Sequence, residues 1–350
     1  MSLTTFPTRQ LGLTDMHITR VGFGARFDAG ARQGGRQGAQ DDADALAAMR
    51  RALDRGINWI ETAAVQGAGH SEDLVGQLLR QLPPSWRPHV FTKCALLGAD
   101  AVPRRTRRIS AAGGINGAVD ASLRRLGVER IDLYQMQWPP ADGMPLEEYW
   151  QALLDLKAAG KLRAVGLSNH NAAQLQDASR QGHVDTAEPA FSALRRDAAV
   201  DVMPWCEAHG TGVLVQGMPR NTLPELSGPG ASLPTHTSTR DRAQATPAAM
   251  SRQGPRGAAL EAAMTPVAER HGCTLTAVAV AWALAWPGVT GAVARARAPD
   301  EVDDWLGAAT LVLDDDDMGR IAAAIEAAGT GPAAPPASAR KSLWLIGSWF

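Results

Sequence analysis

Two residues of opposite charge stand where proton chemistry can begin. Glu61 falls near the end of the short β-type run Asn58–Thr62, and Lys93 closes the run His89–Lys93. A carboxylate beside an ammonium can move a proton to and from a bound molecule, or it can be a buried ion pair that only holds the fold. Glu188, in Glu188-Pro189-Ala190-Phe191, offers a second carboxylate. Three long amides, Gln66, Gln137 and Gln216, also fall at or just beyond such runs. Gathered in one pocket, they would carry more donors and acceptors than the protein alone satisfies, which points to a polar ligand. Arg26, Arg32 and Arg36 lie on the Gly- and Arg-rich stretch Arg26–Gln40 and are either an anion clamp or a solvated loop. Arg26, Trp59 and Trp138 are expected to contact substrate.

Other chemistries are poorly supported. Cys94, Cys206 and Cys273 lack metal-ligand spacing and cannot all pair, so a reducing, cytoplasmic setting is expected and no metal site. Strand alternation turns Cys94 away from Lys93's side, into the core. His70 and His170 read as loop residues rather than catalysts. Gly22-x-Gly24 lacks the third glycine of a dinucleotide fingerprint and suits a tight turn. A formal net charge of −1 gives no field for nucleic acid or an anionic membrane. Met1–Arg20 is polar, unlike a secretory signal, and no apolar run reaches the roughly 18 residues a membrane span needs.

The elements that must position these residues alternate. Asn58–Thr62, His89–Lys93, Ile131–Gln135, Arg163–Ser168, Gly212–Gln216 and Gly291–Ala294 read as buried strands. Helical patterns separate them. Asp42–Arg55 places Leu46, Met49 and Leu53 on one face with Asp41 or Asp42 as cap, and Leu146–Ala159 ends at Gly160. Sustained βα order implies a parallel sheet, and its length favours a closed (β/α)₈ TIM barrel of one domain over residues 1–329. A long Pro- and Ser-rich loop, Pro219–Arg256, follows the seventh barrel strand. Residues 330–350 form a Pro/Ala linker and an apolar tail, Ser342–Phe350, expected to pack onto its own barrel or, by self-association, onto a neighbouring subunit.

Several strings resemble the aldo-keto reductases, in order along most of the chain. They include Gly56-Ile57-Asn58-Trp59-Ile60-Glu61-Thr62-Ala63, Gly69-His70-Ser71-Glu72, Ile131-Asp132-Leu133-Tyr134-Gln135 and Val165-Gly166-Leu167-Ser168-Asn169. The resemblance implies a barrel that binds NADPH and catalyses with aspartate, tyrosine, lysine and histidine. Aligned on those motifs, Glu61 takes the aspartate position, Gln66 the tyrosine, Lys93 the lysine, and Gln137 the histidine. Ser168 and Asn169 match contacts to the nicotinamide carboxamide, and Glu188 replaces a glutamine there. Gln216 replaces a tyrosine that stacks on the nicotinamide ring, a loss of roughly 0.5–1.5 kcal/mol. Arg295 replaces a glycine where the 2′-phosphate is gripped, Arg297 matches, and Glu301 lies near the adenine position.

A glutamine amide cannot deliver the proton that a phenol can, and general acid catalysis is worth about 10²–10⁴-fold. The favoured expectation is therefore a barrel turned to non-redox acid–base chemistry: elimination, isomerisation or cyclisation of a small organic substrate by Glu61 and Lys93. The alternatives are an atypical NADPH-dependent carbonyl reductase and a non-catalytic module for regulation or assembly.

Overall fold

The computed structural model describes residues 6–27, 37–94, 114–140, 144–216 and 254–328. Arg32 and Arg36, most of the loop Pro219–Arg256 and the tail 330–350 lie outside them. Every barrel run read from the sequence is a strand. After a short antiparallel hairpin of β1 (Thr8–Gln10) and β2 (His17–Thr19), the barrel strands are β3 (Val21–Gly24), β4 (Trp59–Glu61), β5 (His89–Cys94) and β6 (Ile131–Met136). They continue as β7 (Leu162–Ser168), β8 (Thr186–Glu188), β9 (Gly212–Gln216) and β10 (Val289–Arg295). All neighbours pair in parallel, and β10 closes on β3. Closure leaves no barrel edge unpaired.

Side-chain alternation divides the strands between two cores. The outer one lies between strands and helices, and takes Val90, Tyr134, Val165 and Val213. Cys94 packs there too, as alternation requires, and burial pushes its thiol up to about 12. The inner core fills the barrel floor with Trp59, Phe91, Leu133, Ala164, Leu214 and Val293, and the hairpin inserts Leu11, Met16 and Ile18 beneath them. Two glycines make this possible or shape the rim. A Cβ on Gly22 would sit 2.1 Å from the indole of Trp59, so this glycine is a strand residue that admits a large ring and not a turn. Gly69, at φ +95°, has the guanidinium arm of Arg125 against the place where a Cβ would be.

The helices pack outside. The first spans Gln37–Asp54, so Asp41 and Asp42 lie within it rather than capping it; Asp42 instead meets His70 Nε2 at 2.8 Å. The helix Leu146–Ala158 ends at Ala159, followed by Gly160 at φ +80°, which supplies the left-handed backbone that stops it. Ala172–Ser179 begins with a reciprocal cap: Asn171 Oδ1 accepts from the Gln174 N–H, and Gln174 Oε1 accepts from the Asn171 N–H. No helix among the described residues is long and apolar enough to cross a membrane.

Candidate active site

Two residues beyond each floor side chain, the same face of the strand reaches the carboxyl-terminal mouth. Trp59 leads to Glu61, Phe91 to Lys93, Leu214 to Gln216 and Val293 to Arg295. Leu133 leads to Gln135, whose amide donates to Thr186 Oγ1 at 3.0 Å, and then to Gln137. The floor is apolar and the rim is charged, and the strand repeat alone puts them in register. Trp59, expected at the substrate pocket, is corrected by this layering. It lies fully buried in the floor, with its indole N–H donating to Thr19 O at 2.8 Å. Trp138 is exposed beyond the end of β6, and Arg26 is half-buried after β3.

The mouth holds a continuous polar chain. Lys93 Nζ lies 2.9 Å from Glu61 Oε1 and 2.5 Å from Glu188 Oε1. The Glu61 contact is between neighbouring strands, whereas Glu188 stands three strands further round the barrel, so the lysine stem crosses the lumen. Gln216 Nε2 donates to the same Glu188 oxygen at 3.1 Å, and Arg295 Nη2 donates to Gln216 Oε1 at 3.0 Å. Arg295 therefore reaches the end of β9 with one of its N–H groups. Gln137 and Gln66 are half-buried, and neither side chain joins this chain; Gln66 opens a turn in which Gly67 and Ala68 both take positive φ.

Three charged members of the chain, Glu61, Lys93 and Glu188, are almost completely buried, and the fourth, Arg295, is half-buried. Burial alone would lower the Lys93 pKa, but Glu188 and then Glu61 outweigh it and hold the ammonium above its ordinary value. Glu188 is pushed up to about 8, first by burial and then by the charge of Glu61, with Lys93 pulling the other way. Burial and the neighbouring Glu61 charge therefore favour the protonated form of the Glu188 carboxyl, against the pull of Lys93. Four buried oxygens at these positions have no hydrogen-bond partner: Glu61 Oε2, Gln66 Oε1, Gln137 Oε1 and Glu188 Oε2. All are acceptors when ionised or neutral amide, so the arrangement suits a ligand rich in donors, or a proton held on the carboxyls.

Ser168 and Asn169, expected at a carboxamide, also tie strand ends together. Ser168 Oγ donates to Glu188 O at 3.2 Å, and Asn169 Nδ2 donates to Gln137 O at 2.9 Å and Ser168 Oγ at 3.0 Å. Asn169 holds φ +61°, which a short amide side chain tolerates. Arg297 is exposed, and its backbone N–H donates to Glu301 Oε2 at 2.8 Å at the start of the helix Pro299–Leu306. Both histidines weighed from the sequence are engaged elsewhere: His170 Nε2 meets the Tyr149 hydroxyl at 2.7 Å, and burial lowers His170 to about 4. No group of histidine, cysteine or carboxylate residues among the described residues is arranged to hold a metal ion. The chain has two tyrosines. Tyr134 packs in the outer core and Tyr149 lies on a helix against His170, so neither phenol is placed at the mouth.

An eight-stranded parallel barrel with its polar residues on the carboxyl-terminal strand ends defines a class of enzyme-bearing folds. The chain belongs to the aldo/keto reductase family, whose sequence profile matches residues 26–326. It is 28% identical over 334 residues to an NADH-specific methylglyoxal reductase of Escherichia coli, covering 90% of this chain and 98% of that protein. The glycerol dehydrogenase of Gluconobacter oxydans superposes with a TM-score of 0.71 at 28% identity, over 93% of this chain and 97% of the other. An aldo-keto reductase from Klebsiella pneumoniae in complex with NADPH, 21% identical, shares the fold with a TM-score of 0.67 over 95% of this chain and 97% of that one. These relatives correct the expectation of non-redox elimination, isomerisation or cyclisation. Proteins matching nine-tenths of the chain are named for redox conversions of carbonyls and alcohols. Loss of the tyrosine does not by itself remove redox chemistry from this barrel, where Lys93 meets two carboxylates.

Proposed function

We propose that the protein is a nicotinamide-dependent oxidoreductase that interconverts a small carbonyl compound and its alcohol. The observation that carries this reading is the Lys93 ammonium held between Glu61 and Glu188 at the mouth of an aldo/keto reductase barrel. An alkoxide forming there meets a fixed positive charge in a water-poor site, where electrostatic stabilisation is strongest. The names of two relatives, a methylglyoxal reductase and a glycerol dehydrogenase, support a short, oxygen-rich substrate.

The residues present fit a nicotinamide dinucleotide. Gln137 Oε1 is buried, lacks a partner and belongs to the residue whose backbone carbonyl binds Asn169, so it suits the donors of a carboxamide. The exposed Arg297 at the far end of the mouth suits a phosphate. Ser168, Asn169 and Gln137 would hold the carboxamide end, and Arg297 with Glu301 the adenosine end. When bound, such a group supplies or accepts a hydride. The chain's own part is to orient the carbonyl, exclude water, and present Lys93 and its carboxylates to the oxygen. A cytoplasmic setting agrees with the three free cysteines, two of them buried.

The test is direct. NADH and NADPH are titrated against the protein by nicotinamide fluorescence, and methylglyoxal reduction and glycerol oxidation are followed at the nicotinamide absorbance. Saturable binding of one nucleotide with turnover in either direction is expected. Absence of binding to both at millimolar concentration would overturn the reading.

A further inference from the structure

Resting on the oxidoreductase reading, we propose that Glu188 is the proton donor of the reaction, in the role that a phenol would otherwise fill. Three observations carry this. Neither tyrosine of the chain is placed at the mouth, and the side chain at the position that the family gives to tyrosine is the amide Gln66, which is no acid. Glu188 binds Lys93 at 2.5 Å through Oε1, while its Oε2 is buried and has no partner in the protein. The groups facing it set a second buried carboxylate, Glu61 from β4, on the same ammonium, Lys93 from β5, while the neutral Gln216 from β9, itself held by the Arg295 guanidinium from β10, stands between Glu188 and the second cation.

The step balances as follows. As hydride from the reduced nicotinamide dinucleotide reaches the carbonyl carbon, the C=O π pair moves to oxygen. That oxygen takes the proton from the Glu188 carboxyl, whose O–H bond breaks. The carboxylate left behind stays in contact with the Lys93 ammonium, shared with Glu61, and has the Arg295 guanidinium one amide away through Gln216, and solvent returns a proton once the alcohol has left. Oxidation of the alcohol runs the same steps backwards. An acid whose pKa lies near the working pH is the most effective, and the carboxyl near 8 meets that condition better than an ammonium held above its ordinary value.

The test replaces Glu188 by glutamine, the residue that the family usually carries there. Glu188→Gln is expected to keep its nucleotide affinity and fold while kcat falls about 10²–10⁴-fold, the range of general acid catalysis. The infrared carbonyl band of a protonated carboxylic acid, recorded without cofactor, is expected in the wild type at pH 6, fading through about pH 8, and absent in the variant. Glu188→Gln combined with Gln66→Tyr supplies a phenol and is expected to recover part of kcat, which a purely structural loss would not. Unchanged kcat, a persisting band, or loss of nucleotide binding in Glu188→Gln overturns the assignment. A wild type that binds neither nucleotide overturns the oxidoreductase reading, and this assignment with it.

Discussion

Lys93→Met removes the single cation between two buried carboxylates while keeping most of the side-chain volume. Breaking a buried ion pair by deleting one partner costs about 3–5 kcal/mol, because the remaining charge is left without compensation. With an unfolding entropy of about 2.1 cal/mol/K per residue over 350 residues, that corresponds to a fall in Tm of roughly 4–7 °C. The fall must depend on pH, and its sign follows from the carboxyl. Glu188 has a folded-state pKa raised to about 8 against 4.5, so its contribution is fully present below about pH 4.5 and is lost as pH rises through 8. Without the ammonium that pulls it down, the carboxyl rises further and the loss becomes steeper. The melting temperatures of wild type and Lys93→Met should therefore lie close together at pH 5 and separate by pH 8.5, as read by circular dichroism. An equal gap at both pH values would show that the lysine stem, not its charge, supports the site.

Arg297→Ala is expected to weaken NADPH binding about tenfold, or about 1.4 kcal/mol, and to leave NADH unchanged; equal effects on both nucleotides in a fluorescence titration would remove Arg297 from the phosphate end. Trp59→Ala should cost about 3–5 kcal/mol in denaturant melts, with nucleotide affinity preserved, because the indole belongs to the floor and not to the pocket. In the native protein a thiol reagent should label Cys273 before Cys94 and Cys206, whose thiols burial pushes up to about 12; first modification at Cys94, located by mass spectrometry, would contradict the outward packing of that strand position.

Strand positions were legible because a period of two is short and hard to mistake. The end of β5 shows this well: Lys93 faces the lumen and Cys94 the helices, as alternation requires. Depth along a strand was less legible. Trp59 shares a face with Glu61, but two residues correspond to about 6.6 Å along the axis, enough to move an indole from the mouth to the floor. The Lys93–Glu188 contact joins residues 95 apart on strands that are not neighbours, and no local pattern encodes which side chains meet across a lumen. Gly22 suits a turn as readily as a strand in the sequence, which does not show which ring will lie over a missing Cβ. The first helix starts at Gln37, several residues before Asp42, a start the sequence does not announce because Gln37–Gln40 adds no apolar periodicity. The cap at Asn171 did carry a readable signature in its Gln174, three residues on.

The N-terminal hairpin has a kinetic consequence. Arg9 Nη1 donates to Val289 O at 3.3 Å, and the Ala292 N–H donates to Arg20 O at 2.8 Å, so the first segment of the chain is bonded to the last barrel strand. β3 has one neighbour in β4 but must wait for β10 on its other side. At synthesis rates of about 5–20 residues per second, that wait is on the order of 13–55 s on the ribosome. Throughout it, β3 presents an unpaired edge and the hairpin's Leu11, Met16 and Ile18 lack part of their cover. Ring closure between segments so far apart in sequence is entropically costly and slow. Newborn chains of this protein are thus most prone to mispair at their beginning, and truncations before β10 should accumulate as aggregates rather than as partial barrels.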